Sequence, residues 1–459
     1  MTSLMIRWPE ADPRAVPLLG EAGTAYVWLP WDAPGDCRAF VEACHRAGMR
    51  VIAELGPEQA GKAGEARAAG FEGVAWEAGG AQEKEVRDVA AKHAGWEMFL
   101  LLDPARIGWP VEPARAVLRA GLWPGSRRPE PGEASATQHA WLDANVHLIA
   151  WLRAHFPARP AILGYRADEA AGLARGQRVP FWTSELSLAE AAVAGGSVVL
   201  SAPDAFREAL LAGQGMAREA WQSLARTARF LRDHAAEFQR PVASRVAVIA
   251  GDLEECGEIL NLMFRHNVTP AVLPASRPGP LGQFRVVAGA GLGKYREAVR
   301  SSLEFARAGG HLLVAPAAEN EPAWWKAPGL RKLRAEQERD VYALGRGLIT
   351  VYRAPVADPG EFALDVIDAL GWRTRDLRIW GADALIGLLH RQPDGSVSLE
   401  LVNYGGKAGD FLVRLEGHFR RALLRQSGAA PVELRAAIRG SGTEVEMPRI
   451  SRVASLLLS

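Results

Sequence analysis

Carboxylates stand at the ends of short apolar runs through the first half of this 459-residue chain. The clearest case is Phe71–Gly80, FEGVAWEAGG. There Gly73-Val74-Ala75-Trp76 reads as a buried strand, Glu77 stands at its tip, and two glycines turn the corner. A charge in that place costs several kcal/mol unless it is paired or sits at an open end. Other run ends carry Trp8, Trp31 with Asp32, Glu54, Asp103, Trp123, and Arg166 followed by Asp168 and Glu169; Glu185 follows in the stretch VPFWTSEL. Two carboxyl groups facing one another, one protonated and one ionised, can cleave a glycosidic bond. A crowd of carboxylates in a partly buried mouth is what splits their pKa values for those roles. Indole faces stack on flat, CH-rich surfaces, and the chain has 15 tryptophans, several near strand ends. Among these carboxylates Glu77, Glu185 and Asp103 are the catalytic candidates, a choice that rests on the family resemblance given below. The candidate substrate-binding residues are Trp8, Trp31, Asp32, Glu54, Trp76, Trp123, Arg166 and Glu169.

The elements that must position these groups alternate between strand and helix. Strands are expected at Leu4–Trp8, Ala25–Leu29, Arg50–Glu54, Gly73–Trp76, Met98–Asp103, Val117–Trp123, Ala161–Tyr165 and Ser197–Ser201. Their cores are apolar without polar alternation, as for parallel strands covered on both faces. Helical spacing lies between them at Asp36–Ala47, Glu83–His93 and Gln138–His155, and Gly48, Gly70 and Gly95 end helices. Eight such units over about 240 residues fit a (β/α)8 barrel, whose active sites lie at the C-terminal strand ends. The unit after Tyr165 is irregular: VPFWTSEL is expected as an extra loop carrying Glu185, before a helix at Ser187–Ala194. Gln239-Arg240-Pro241 reads as a linker. A second βα pattern then opens with RVAVIA, Arg245–Ala250, and implies a flavodoxin-like α/β domain. From Val341 short alternating strands, with a Pro393-Asp394-Gly395 hairpin turn, imply an antiparallel β-sandwich. The expected domains are 1–240, 241–340 and 341–459.

Composition bounds the partners. Hydrophobic residues make up 48% and charged residues 23%, enough for sizeable cores. With 54 basic and 53 acidic residues, nothing favours nucleic acid or an anionic membrane. No run is long and apolar enough to span a bilayer. A cytoplasmic location is the default expectation, or a secreted one if a leader has been removed. The three cysteines, Cys37, Cys44 and Cys256, lack a CxxC spacing, and the ten histidines lack HxH or HExxH spacing. Neither a disulfide framework, a metal site nor a cofactor is expected.

Barrel, flavodoxin-like domain and small β-sandwich, in this order, resemble the β-galactosidase-type glycoside hydrolases of clan A. The segment Phe284–Pro316, FRVVAGAGLGKYREAVRSSLEFARAGGHLLVAP, resembles the glutamine-amidotransferase-like trimerisation domain of that architecture. Leu186–Leu211, LSLAEAAVAGGSVVLSAPDAFREALL, resembles the last unit of its barrel. The resemblance implies a carbohydrate substrate, a homo-oligomer and an acid/base after the fourth strand, where Glu77 falls. It implies a nucleophile at the end of the seventh strand. Here the seventh strand ends in Gly164-Tyr165-Arg166, and Trp76 stands where clan members carry Asn before the acid/base. Glu185 is the expected partner of Glu77, then Asp103. The middle domain has Gly289-Ala290-Gly291 at the elbow where an amidotransferase needs Cys.

Each acidic candidate also has a structural reading. Glu77 could pair with an arginine, Glu54 could form an ion pair, Glu185 could sit at a helix N-terminus, and Asp103 before Pro104 could make a turn. Two functions follow: a glycoside hydrolase with its carboxylate pair at the barrel mouth, or a catalytically inactive, divergent relative that binds carbohydrate or serves assembly.

Overall fold

The computed structural model describes residues 4–93, 95–122, 144–165, 181–371, 374–382, 384–405 and 410–459. Its first eight strands are β1 (Leu4–Arg7), β2 (Thr24–Pro30), β3 (Arg50–Leu55), β4 (Gly73–Glu77), β5 (Glu97–Leu102), β6 (Arg115–Gly121), β7 (Ile162–Tyr165) and β8 (Ser197–Ser201). They close into a barrel in sequence order, β8 returning to β1, with every pairing parallel. The expected (β/α)8 barrel is therefore present, and each expected strand lies within a few residues of its place.

The helices are α1 (Val16–Glu21), α2 (Cys37–Arg46), α3 (Ala63–Ala68), α4 (Glu83–Lys92), α5 (Val146–His155), α6 (Trp182–Val193), α7 (Asp204–Leu211), α8 (Gly215–Asp233) and α9 (Ala235–Phe238). Local chemistry starts them: Asp36 Oδ1 accepts from the Ala39 amide at 3.0 Å and caps α2. Gly73 is required at the start of β4, because a Cβ there would lie 2.3 Å from the Glu97 carbonyl of β5. Gly79, at φ +45°, makes the turn after β4.

Beyond the barrel, β9 (Val246–Ala250), α10 (Leu253–Arg265), β10 (Ala271–Pro274), β11 (Val286–Ala290), α11 (Arg296–Ala308) and β12 (His311–Ala315) form the α/β pattern. Next come β13 (Arg331–Ala335), β14 (Arg339–Leu344), β15 (Gly347–Tyr352) and α12 (Pro359–Leu370). One sheet holds β10-β9-β11-β12-β15-β14-β13, in which β10 to β15 are parallel in flavodoxin-like order. The stretch Gly347–Tyr352 thus joins the α/β sheet as a parallel strand beside β12, rather than opening the sandwich from Val341. The charged tract 319–339 contains β13, which the sequence did not disclose because its residues are exposed on both faces and show no apolar alternation.

The tail contains β16 (Leu377–Trp380), β17 (Leu385–Arg391), β18 (Val397–Asn403), β19 (Phe411–Glu416), β20 (Ala422–Gln426), β21 (Val432–Leu434), β22 (Ala436–Arg439), β23 (Gly442–Met447) and β24 (Val453–Leu458). They make two antiparallel sheets, β16-β19-β23-β22 and β17-β18-β24-β20-β21. Leu399, Leu401 and Leu456 of one sheet share a core with Leu377, Val413 and Val445 of the other, which is sandwich packing.

By internal contacts the chain forms two compact units. Among the described residues, the barrel unit lies within 4–122, 144–145 and 156–239, and the second within 146–155 and 240–459. Helix α5 belongs to the second. Its Trp151 indole donates to the Gly251 carbonyl at 3.0 Å, and a His155 ring nitrogen lies 3.1 Å from the Ala250 carbonyl. Cys256, on α10, is buried, and burial pushes its thiol up to about 12, so it has the character of packing rather than of a nucleophile. Among the described residues, no helix is long and apolar enough to cross a membrane.

Candidate functional site

One residue face of every barrel strand fills the interior. Met5, Tyr26, Trp28, Ile52, Ala75, Phe99, Val117, Ile162 and Val199 form a single cluster, drawn from all eight strands. Side chains alternate along a strand, so residues two places away share the inward face. Toward the N-terminal strand ends these are Arg50, Glu97 and Arg115. Toward the C-terminal ends they are Arg7, Glu54, Glu77, Leu101, Arg119 and Ser201.

The lower polar layer is knitted by Glu97. It accepts from Tyr26 Oη at 2.8 Å and pairs with Arg50 at 2.9 Å and with Arg115 at 2.6 Å. The Arg50 guanidinium also lies 4.1 Å from the centre of the Tyr26 ring. Above this layer Trp28 packs on Phe99 at 5.1 Å between ring centres and is 1% exposed, so the barrel is a filled core and not a channel.

The upper layer is the C-terminal mouth. Arg7 Nε donates to Glu54 Oε2 at 2.5 Å, reaching past β2 from β1 to β3. Glu77 pairs with Arg119 Nη1, reaching past β5 from β4 to β6. The side chains of Glu54 and Glu77 are 21% and 39% exposed, so both can meet a ligand. Around the rim, Asp103 Oδ1 accepts from the Arg106 amide at 3.1 Å, and Arg106 donates to the Gly79 carbonyl, tying the turns after β4 and β5 together. Glu10 pairs with the buried Arg207 at 2.8 Å. Four carboxylates at this end of the barrel therefore each face a guanidinium. Leu122, just past β6, and Asn145, just before α5, are joined: the Asn145 side chain bonds both the amide and the carbonyl of Leu122, at 2.8 and 2.7 Å. The buried Glu190 of α6 holds that asparagine, at 2.6 Å from its Nδ2 and 2.9 Å from its amide.

Of the candidates read from sequence, Glu77 and Glu54 face into the mouth. Asp103 sits on its rim as a turn residue, and Asp32 is exposed beyond β2. Three tryptophans do not line the mouth. Trp8 and Trp76 fall on the outward parity of β1 and β4. Trp8 is buried edge-on against Trp221 of α8, 6.2 Å away, and Trp76 donates to the Pro57 carbonyl. Trp31 packs on Phe71. Glu185 is likewise not on a loop over the mouth. The stretch from Trp182 is already helix α6, and its carboxylate accepts from Thr227 Oγ1 at 2.6 Å and from Ser223 Oγ at 3.3 Å, both on α8. It is a helix-to-helix tie in the outer layer. Trp123, Arg166 and Glu169 lie outside the described residues.

The sequence reading missed Arg7 and Arg119. Alternation would have found them: each stands two residues beyond a core residue, Met5 or Val117. Among the described residues, no three His, Cys, Asp or Glu side chains gather so as to hold a metal ion.

The sequence matches no protein-family model and no curated protein. Solved structures do share its fold. An α-L-fucosidase isoenzyme 2 from Paenibacillus thiaminolyticus aligns with TM-score 0.58 and 11% identity, covering 100% of both chains. The β-galactosidase from Bacillus circulans sp. alkalophilus aligns with TM-score 0.60 and 10% identity, covering 100% of this chain and 99% of that one. The exo-β-1,4-mannosidase Op5Man5 from Opitutaceae bacterium strain TAV5 aligns with TM-score 0.51 and 11% identity, over 82% of this chain and 95% of the other. The chain thus has the fold of these glycoside hydrolases along most or all of its length.

Proposed function

We propose that this protein takes a carbohydrate at the C-terminal mouth of its barrel and hydrolyses a glycosidic bond there, with Glu77 and Glu54 as the two carboxylates. The observation that supports this is their shared inward parity on neighbouring strands β3 and β4, at the end of the barrel where such enzymes work. Glu77, facing Arg119 on β6, is the first of the two, and Glu54, facing Arg7 on β1, is the second. In such a pair one carboxyl gives a proton to the leaving oxygen while the other attacks the sugar carbon or activates water. Arg7 and Arg119 offer planar donors to sugar hydroxyls.

A second reading is favoured by one observation: Glu54, Glu77 and Asp103 all carry arginine partners. On that reading the mouth binds carbohydrate without cleaving it. A panel of chromogenic aryl glycosides, run with wild type, Glu77→Gln and Glu54→Gln, decides between the two. Hydrolysis is expected to fall by a factor of about 10³ or more in each variant, as for loss of a group acting directly on the reacting atoms. Cleavage of no glycoside by the wild type, with a sugar still bound, would establish the binding reading. Full activity in both variants would remove the mouth from the chemistry. Self-association through the α/β part rests on the architectural resemblance, and light scattering at micromolar concentration tests it.

A further inference from the structure

The outer face of the sheet β16-β19-β23-β22 carries a compact set of side chains on the side away from its core. Trp380, in edge strand β16, is 43% exposed, unusual for the largest apolar side chain. Register places Trp380 opposite Leu412 of β19, and Leu412 opposite Glu446 of β23. In the next row Arg378 stands opposite Arg414, and Arg414 opposite Glu444. The inward residues of β19, Phe411, Val413 and Leu415, are buried, whereas Leu412 and Arg414 are half-buried on the other side. Arg414 pairs with Glu444 at 3.0 Å, and the Arg378 guanidinium lies 6.0 Å from the centre of the Trp380 ring.

Two guanidiniums directly opposite on paired strands repel, a cost that sheets avoid. Burial and then the Arg414 charge both draw the Arg378 pKa below its ordinary value. Here that cost is kept beside an exposed indole. The two arginines are balanced by Glu444 and Glu446, so the patch has no net sign and gives no purchase to a polyanion. It offers a flat aromatic face, fixed donors and fixed acceptors side by side. That combination suits a neutral polyol: ring CH groups stack on the indole, and hydroxyls accept from guanidinium and donate to carboxylate.

We infer that this face of the sandwich is a second carbohydrate-binding surface, built on Trp380 and flanked by Arg378, Arg414 and Glu444, that holds a neutral polysaccharide chain. The inference rests on the carbohydrate reading of the barrel but uses different residues, so the two can fail separately. Electrophoresis of the folded full chain through native gels containing soluble galactan, xylan or glucomannan tests it. At least one polysaccharide is expected to slow the wild type twofold or more relative to a gel without it. Trp380→Ala should abolish that retardation and Trp380→Phe should keep part of it, while Glu77→Gln should be slowed like the wild type. Far-UV circular dichroism checks that the edge variants remain folded. The inference is overturned if no gel slows the wild type, or if Trp380→Ala is slowed equally. It is also overturned if Trp380→Ala changes the particle mass in light scattering, which would make the patch an interface between copies. Loss of aryl-glycoside turnover in Glu77→Gln with intact retardation would bear on the mouth alone.

Discussion

Replacing Glu97 by Gln should weaken the barrel from below. Gln keeps the shape and one carbonyl oxygen, so Tyr26 can still donate. The charge is lost, and with it the two ion pairs, at 2.9 Å to Arg50 and 2.6 Å to Arg115. A hydrogen bond to a charged group contributes about 1.5–3 kcal/mol, and breaking a buried pair costs about 3–5 kcal/mol. Glu97 is 19% exposed, but Arg50 and Arg115 are 48% and 40% exposed and recover part of their hydration. The lower part of that range applies, about 2–3 kcal/mol. For a unit of this size each kcal/mol lowers Tm by roughly 2–4 °C, so the barrel transition should drop by roughly 5–10 °C. Differential scanning calorimetry reads it directly. Sodium chloride at about 1 M, where the Debye length is about 3 Å, should narrow the gap by screening the two guanidiniums left facing each other. A drop below about 1 °C, or a gap that widens in salt, would refute the claim that this layer holds β2, β3, β5 and β6 together.

Two further outcomes follow from other sites. Burial first, and then Arg334 and Arg339, draw His311 down from 6.5 to about 4, while a ring nitrogen lies 2.9 Å from Thr350 Oγ1. The unfolded chain therefore binds more protons in between, so the contribution is full above pH 6.5 and lost as pH falls toward 4, up to about 3 kcal/mol; Tm measured against pH should fall through that window in the wild type and stay flatter in His311→Gln, and parallel curves would contradict it. Glu185→Gln should leave aryl-glycoside turnover within about twofold and lower stability by about 1 kcal/mol, since it loses only hydroxyl bonds to α8; a loss of turnover of a hundredfold or more with an unchanged melting curve would return Glu185 to the chemistry.

The barrel strands were legible because parallel strands buried on both faces must be apolar throughout, as Val51-Ile52-Ala53 and Met98-Phe99-Leu100 are. The mouth was legible only in part. Taking the last residue of each run ignored parity, and a one-residue step along a strand moves a side chain to the other face. So Trp8 and Trp76 were expected at the mouth and lie outside it, while Arg7 and Glu77, their immediate neighbours, face in. The partners of Glu54 and Glu77 come from two strands away, 47 residues off for Arg7, and local pattern cannot show such pairs. Glu185 was misplaced because Phe181, Trp182 and Thr183 are indifferent helix formers, and packing on α8 overrides that preference.

Helix α5 gives the molecule a property of its own. It lies between β6 and β7 in the chain, yet its contacts place it in the other compact unit. No single cut in the polypeptide therefore separates the two units. A fragment ending near Gln239 would carry the buried Val146, Ile149, Trp151 and Leu152 of α5 without α10 and β10, the elements that helix packs on, and would be prone to clump through them. The segments of the two units thus alternate along the polypeptide. Exchange of either with another protein, by a breeder of enzymes or by recombination, would have to carry that helix's counterpart across as well.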